Sequence, residues 1–438
     1  MIKFVPEPHL LDSPRGRDWP RLGVAGAPGR GGAPGNSADV VIVGAGPAGL
    51  AVASALWHHG VRDVVVLDRD GRPCGRFFDR VDRLGQRVLR SPYEHHPGVE
   101  GYRDCELLDF ARLHWSRLTD VERREIRMAQ AGHRSVVPVD VFEAYCDHLV
   151  TSHHVAERTW QASVREVLPT AEAVTVRANR FTVTAPHVVL CLGEERRPAP
   201  EAWWGGGTPP RGVSYWDDPV PAGGHRRIVV GAGLTAAHLL TASLEAGHEV
   251  HWVVRETEER YQCADVNSSF FRPEGRARFD GVDRAGRLEL MGRHRRASIM
   301  FEFRPRLRQA EAEGRLVVHR GESVKEVGDG SSGVVCRLES GHLIEADSAV
   351  LALGTTPSIG GGLLPPDVVA ERDGWPALDE RTLGYTRAPR VSVVGAAAGL
   401  VLGPAARNID GHRVATARVA ASIAHGLRHG RVPAVAGV

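Results

Sequence analysis

Two glycine-rich turns of identical sequence constrain this chain more than any other feature. Val-Gly-Ala-Gly occupies Val43–Gly46 and recurs 187 residues later at Val230–Gly233. Each copy follows a short apolar run and precedes a longer one, which is the order of a strand, a tight turn and a helix. The same offset relates Asp68 to Arg255, and each of these ends the second apolar run of its unit. Two matched features at one offset predict two copies of one strand–helix–strand unit.

Strands that alternate with helices predict a parallel sheet covered by helices on its faces. The length of 438 residues allows two to three domains. We therefore predict an α/β fold with two Rossmann-like dinucleotide-binding domains, the second inserted into the first, plus a helical insertion. The predicted units are a flexible leader at 1–37, the first domain at 38–210 and 340–438 with the helical insertion at about 85–150, and the second domain at 226–333.

The first turn, Gly44–Gly49, has the composition of a pyrophosphate site. It fits GxGxxG between a strand and a helix. Its first glycine allows the tight turn, the second lets the backbone approach a pyrophosphate, and the third lets helix and strand pack closely. Asp68 is placed to accept hydrogen bonds from a ribose diol, while a turn that binds no nucleotide is the alternative. The predicted contacts are Gly44, Gly46, Pro47, Ala48, Gly49, Asp68 and Arg69.

The second turn, Gly231–Ala236, ends in alanine, whose methyl group leaves a pyrophosphate site intact. Arg255 stands where the first unit has Asp68. A guanidinium can bind a 2′-phosphate through two hydrogen bonds, so NADPH is favoured over NADH. The neighbouring Glu256 opposes this choice, and NADH or an empty site stays open. The predicted contacts are Gly231, Gly233, Leu234, Thr235, Ala236 and Arg255.

Two dinucleotide sites in one chain indicate FAD held in the first and a diffusible NADPH in the second, which delivers hydride to the flavin. The closest cysteines, Cys74 and Cys105, are 31 residues apart, so the sequence has no CxxC motif. Neither a redox disulfide nor a metal site is predicted. The electrons then pass to oxygen or to another acceptor.

The two-turn layout, together with strands that end at Gly193 and Gly354, resembles the flavoproteins with two dinucleotide-binding domains. Within them, the chain resembles the class B flavin-dependent monooxygenases of the ornithine/lysine N-hydroxylase group. The group's D-x3-L-A-T-G-Y signature is similar to Asp347–Thr355, and its polar loop after the nicotinamide strand is similar to Asp265–Glu274. The resemblance implies FAD contacts that include Gln86, Gly193, Gly354, Gly395 and Asn408.

The same resemblance implies a reaction. Reduced flavin and O2 form a C4a-hydroperoxyflavin, which transfers oxygen to the nitrogen of a small-molecule amine in a biosynthetic pathway. Such chemistry needs no protein nucleophile but does need a site that excludes water. Two alternatives stay open: an NAD(P)H dehydrogenase, reductase or oxidase that inserts no oxygen, and a non-redox protein with structural FAD.

Three departures separate the chain from that group. Pro138-Val-Asp140 stands where a P-x-R segment is expected, and only Arg90 supplies the basic residue expected after the glutamine segment. The amino-acid-binding residues of the group are therefore not carried over. Gly395-Ala396-Ala397 replaces the Gly-Asp that many relatives place over the ribityl chain of FAD. One hydrogen bond to the flavin is thus missing or supplied by another residue.

Four residues are candidates for a role near the reacting atoms: Gln86, His95, His96 and Asn267. The two histidines can act as acid or base near neutral pH. A surface turn set by the flanking prolines is the equal alternative for them. Asn267 and Asn408 can contact nicotinamide or flavin, or serve as ordinary loop and cap residues.

Charge and hydropathy limit the partners. The 55 basic and 53 acidic residues leave a net charge of +2, which does not favour nucleic acid or an anionic membrane. The longest uncharged run, Val40–Trp57, is interrupted by glycines and therefore predicts a strand, a turn and a helix rather than a membrane span. No secretion signal is evident, so we expect a cytoplasmic enzyme. The partners expected are an amine substrate and molecular oxygen, and a homo-oligomer is left open.

Overall fold

The computed structural model describes residues 7–19, 34–98, 106–219, 223–263, 270, 273–294, 296–331, 333–369, 371 and 373–430. The described strands are β1 (Val40–Val43), β2 (Val64–Asp68), β3 (Val88–Leu89), β4 (Val137–Pro138), β5 (Thr159–Gln161), β6 (Val164–Pro169), β7 (Val174–Ala178), β8 (Thr182–Ala185), β9 (His187–Leu190), β10 (Glu194–Arg196), β11 (Val213–Tyr215), β12 (Arg226–Val230), β13 (Glu249–Val254), β14 (Leu316–Arg320), β15 (Val324–Asp329), β16 (Val334–Leu338), β17 (Leu343–Ala346), β18 (Ser348–Leu351), β19 (Thr355–Pro357), β20 (Gly384–Tyr385) and β21 (Ala388–Val393). The described α-helices are α1 (Pro47–His58), α2 (Gly75–Arg83), α3 (Glu106–Leu113), α4 (Asp120–Gln130), α5 (Val139–Ser152), α6 (Leu234–Glu245), α7 (Pro273–Asp280), α8 (Arg284–His294), α9 (Arg304–Ala312), α10 (Pro366–Val369), α11 (Gly399–Leu402) and α12 (Ile409–His429).

The first sheet has the strand order β20-β21-β9-β1-β2-β5. Strand β1 lies at its centre and pairs in parallel with β2 on one side and β9 on the other. All four residues of β1 are buried, because α1 and the antiparallel sheet β6-β7-β8 both pack against this sheet. Helices α1 and α12 pack against each other beside this sheet.

The second sheet has the order β11-β18-β12-β13-β14, and its strands are parallel. A three-stranded antiparallel sheet, β15-β16-β17, covers one of its faces through a shared apolar cluster. With α3, α4 and α5 as the helical insertion, the predicted architecture of two Rossmann-like units is confirmed.

The second unit extends beyond its predicted range of 226–333 at both ends. Strand β11 lies before that range and β18 after it, yet both belong to the second sheet. The segment that contains β11 is rich in glycine and proline, which indicated a linker rather than a strand. A strand of three residues suffices at this position because β11 lies at the sheet edge and pairs with only one strand, β18.

Two connections between the sheets run side by side. Strands β10 and β19 begin directly after Gly193 and Gly354, which follow β9 and β18, and pair in an antiparallel ladder. The Arg197 N–H donates to the Gly354 carbonyl at 2.9 Å, and the Ser358 N–H donates to the Gly193 carbonyl at 3.1 Å. These bonds tie the two units together at their crossing.

Residues 7–19 correct the prediction of a flexible leader for the part of it that the structure describes. Leu10 and Leu11 are buried in an apolar cluster of the second unit. Arg17 Nε donates to Asp140 Oδ2 at 2.6 Å, and Arg17 Nη1 donates to Glu122 Oε2 at 2.7 Å. This segment therefore straps the second unit to the helical insertion. The sequence did not reveal this packing because two adjacent leucines, Leu10 and Leu11, show no helical or strand periodicity.

None of the helices in the described ranges combines the length and the apolar character that a bilayer span requires.

Replacing Arg17 with methionine should destabilise the protein by about 3 kcal/mol, because Glu122 and Asp140 are almost wholly buried and would lose their cation. Urea unfolding of the variant measures this loss. Arg177→Met removes an exposed pair with Glu166 and should cost less than about 1 kcal/mol. Equal losses of unfolding free energy in the two variants would contradict the inference that Arg17 holds residues 7–19 to the helical insertion.

Candidate functional site

The first glycine turn joins β1 to α1 through very close backbone contacts. Gly44 has a φ of +98°, and a Cβ atom on it would collide with the carbonyl oxygen of Cys191. A Cβ on Gly49 would collide with the carbonyl of Gly44. A Cβ on Gly46, in contrast, would meet nothing within 4 Å. Two of the glycines are needed for packing, and the third lies beside open space.

Helix α1 presents its N-terminus to that open space. Gly46 is its N-cap and has no side chain to bond the first N–H groups, and Pro47 and Ala48 begin the helix. The first turn contains no acidic residue. Free N–H groups and the positive end of the helix dipole make this an anion site that fits a pyrophosphate.

Asp68 closes one side of the first turn at the end of β2. Its Oδ2 accepts from the Ala45 N–H at 2.8 Å, and its Oδ1 accepts from the Asp70 N–H at 2.9 Å. Each oxygen keeps a second lone pair, so the carboxylate can still accept from a ribose diol. The predicted neighbour Arg69 is exposed, and its guanidinium is 3.7 Å from Glu195.

The second glycine turn repeats this geometry between β12 and α6. Gly231 has a φ of +137°, and a Cβ on it would collide with the carbonyl of Ala352. Gly233 caps α6 without a side-chain bond, and Leu234 and Thr235 follow in a first turn free of acidic residues. Ala236 is fully buried.

Arg255 lies directly after β13, where the first sheet has Asp68. Its side chain is exposed and makes no ion pair within the described ranges. Arg320, at the end of the neighbouring strand β14, is in contrast held by Glu259 and Glu311. An unpaired guanidinium at this strand end is available for a phosphate.

Gly193 and Gly354 lie three residues after β9 and β18 and have φ values of +69° and +87°. Open space surrounds both positions. Gly395 follows β21 with a φ of +113°. Gln86 lies before β3, where its Nε2 donates to the Val88 carbonyl at 2.8 Å. A contact of these residues with a cofactor stays a prediction.

The two adjacent histidines are buried, so the alternative of a surface turn is wrong. His95 and His96 are only 6% and 2% exposed. His96 Nδ1 lies 3.3 Å from the Tyr145 hydroxyl, which donates to Glu106 Oε1 at 2.6 Å. His96 thus belongs to a polar network of the helical insertion.

His95 instead faces the start of α12, where its Nε2 lies 3.7 Å from Asp410 Oδ2. Burial lowers the pKa of His95 to about 4, so the ring is neutral at pH 7. Asn408 is the N-cap of α12, and its side chain makes no capping bond. Asn267, the remaining candidate, lies outside the described residues.

Sequence reasoning missed Asp410 and His412, which occupy the first turn of α12. His412 packs against Gly395, whose added Cβ would lie 3.7 Å from the ring Nε2. The one available signal was their position just after a glycine- and proline-containing loop that starts a long helix. Within the described ranges, no cluster of three or more His, Cys, Asp or Glu side chains is arranged to hold a metal ion.

Comparisons with known proteins agree with this geometry. Residues 42–104 match the family model of an NAD(P)-binding Rossmann-like domain. No curated protein matches the chain.

Solved structures match over most of the chain. The reduced ornithine hydroxylase of Pseudomonas aeruginosa has a TM-score of 0.70 at 16% identity, covering 89% of this chain and all of its own. The ornithine N-hydroxylase of Kutzneria sp. 744, solved with reduced FAD, NADP+ and L-ornithine, has a TM-score of 0.68 at 17% identity, covering 90% and 100%. The L-lysine 6-monooxygenase of Pseudomonas syringae has a TM-score of 0.67 at 18% identity, covering 89% and 100%. The resemblance seen in the motifs is therefore confirmed at the level of the fold.

Proposed function

We propose that this chain is an FAD-dependent, NADPH-using monooxygenase that hydroxylates the nitrogen of a small-molecule amine in a biosynthetic pathway. One observation carries the proposal. Two glycine turns, each opening a helix N-terminus at the carboxyl edge of its own sheet, lie in a fold shared with ornithine and lysine hydroxylases. One cradle suits a resident flavin dinucleotide and the other a nicotinamide that comes and goes.

The first cradle fits FAD. The open space at Gly46 admits the pyrophosphate, the N–H groups that begin α1 bind it, and Asp68 accepts from the ribose. Bound FAD would supply the redox chemistry, taking hydride from NADPH and passing one oxygen atom of O2 to the amine. The protein binds and orients both nucleotides.

Asp410 at the start of α12, and His95 that faces it, would keep the reacting region dry. His95 and Asp410 are both less than a tenth exposed. The neutral His95 ring can accept a hydrogen bond at Nε2, which has no partner of its own among the described residues. Exclusion of water matters because solvent access diverts reduced oxygen to hydrogen peroxide.

Oxygen insertion is tested by product analysis. The purified protein should be yellow, and anaerobic NADPH should bleach its absorbance. On adding air with ornithine, lysine, cadaverine and other amines, one amine should give a hydroxylamine in proportion to the NADPH consumed. Peroxide formation with every amine would favour a reductase or oxidase, and a colour that neither NADPH nor NADH bleaches would favour structural FAD.

Gly46→Ala should lower the affinity for FAD by tenfold or more without destabilising the apoprotein. A methyl group there meets no protein atom, and the φ of −64° suits alanine, but the methyl occupies the pyrophosphate cradle. Titrating apoprotein with FAD measures the affinity, and thermal unfolding measures the fold. Gly361→Ala, which also adds a methyl in open space, is the matched control. Unchanged FAD affinity in Gly46→Ala would reject the assignment of the FAD pyrophosphate to the space beside Gly46.

Arg255→Ala should raise KM for NADPH by roughly 10- to 100-fold and leave KM for NADH nearly unchanged, because only NADPH carries the 2′-phosphate. Steady-state flavin reduction with both nucleotides measures the ratio. Arg211→Ala removes another exposed arginine, before β11 at the opposite edge of the same sheet, and should change neither KM. A similar rise with both nucleotides would show that Arg255 does not read the phosphate.

A further inference from the structure

The strand order fixes the direction in which a dinucleotide on the first turn must run. Asp68 ends β2 on one side of β1, while β9 and β21 follow on the other side. All these strands are parallel, so their carboxyl ends share one edge. A nucleotide with its ribose at Asp68 therefore sends its other half past β9 to the end of β21, about 10 Å from β1.

The segment that follows β21 carries no polar side chain from Gly395 to Ala398. Ala396, Ala397 and Ala398 follow Gly395 and are all buried. A ligand that passes over this strand end must find its hydrogen bonds elsewhere. The nearest other element is the first turn of α12.

His412 comes from that turn and lies against Gly395. A Cβ on Gly395 would be 3.7 Å from Nε2, which places the ring beside the strand end. The ring is partly buried; its Nδ1 is enclosed by protein, and the Arg407 backbone hydrogen-bonds the ring. An enclosed Nδ1 is out of reach of a ligand at the strand end, so Nε2, which lies beside Gly395, is the nitrogen available to one.

The charge state of His412 limits the ligand. Burial lowers its pKa to about 4, although a hydrogen bond with the backbone of Arg407 opposes this shift. At pH 7 the ring is neutral, with one nitrogen that donates and one that accepts. Asp410 lies two residues earlier in the same helical turn and would repel a phosphate. These properties suit a neutral hydroxyl group, which both donates and accepts.

We propose that His412 binds the ribityl chain of FAD and supplies the hydrogen bond that no carboxylate after Gly395 provides. The unused amide of the N-cap Asn408 lies one helical turn before it and completes a polar wall for the same chain. This inference rests on the proposed function only in requiring that FAD occupies the first cradle.

The first test compares apoprotein and holoprotein. His412→Leu should lower FAD affinity about tenfold, and thermal unfolding of the apoprotein checks that the variant still folds. His412→Gln keeps a polar group near the position of Nε2 and should retain most of the affinity. Thr416→Val, one turn further along α12, also removes a buried hydroxyl without a partner and should leave FAD affinity unchanged.

The second test identifies the group that His412 contacts. FAD analogues that each lack one ribityl hydroxyl, at 2′, 3′ or 4′, are titrated into wild-type and His412→Leu apoproteins. One analogue should bind wild type about tenfold more weakly than FAD yet bind the variant as well as FAD does. Equal losses for every analogue in both proteins, or unchanged FAD affinity in His412→Leu, would overturn the inference. Failure of the wild type to bind FAD at all would instead reject the proposed function.

Discussion

The close approach of helix and strand backbone at the two glycine turns is the constraint on which the rest of the structure depends. A side chain on Gly44 or Gly231 would strike the carbonyl of a neighbouring strand, and one on Gly49 would strike the turn itself. Any of these would push the helix away from its sheet. With glycine at these positions, each helix stays packed on its sheet. Its N-terminus therefore remains at the carboxyl edge of the sheet, where a nucleotide can bind.

The two units must also hold a fixed relation, since a hydride passes between cofactors only at contact distance. Three kinds of contact provide that relation. The paired strands β10 and β19 join the crossings, the strap of residues 7–19 spans both units, and Arg90 donates across to Ser298. The arginine that resembled a substrate-binding residue in sequence thus has a large part of its guanidinium engaged between units.

Local patterns in the sequence predicted the fold and both glycine turns, because a glycine turn is dictated by residues adjacent in the chain. Interactions between distant segments were not predictable in this way. Leu10 and Arg17 find their partners more than a hundred residues away. The burial of His95 depends on α12, and β11 became a strand only because β18 lies beside it. Pairing across the chain, rather than local propensity, decided each of these.

The N-termini of α1, α6 and α12 differ in their charge. Helices α1 and α6 have glycine N-caps and no acidic residue in the first turn, so their positive ends are free for phosphates. Helix α12 has Asp410 in its first turn and two neutral histidine rings beside it. The carboxylate offsets the helix dipole there, and what is left is a set of hydrogen-bonding groups with little attraction for an anion. The start of α12 is therefore suited to the uncharged part of a flavin nucleotide, and α1 to its charged part.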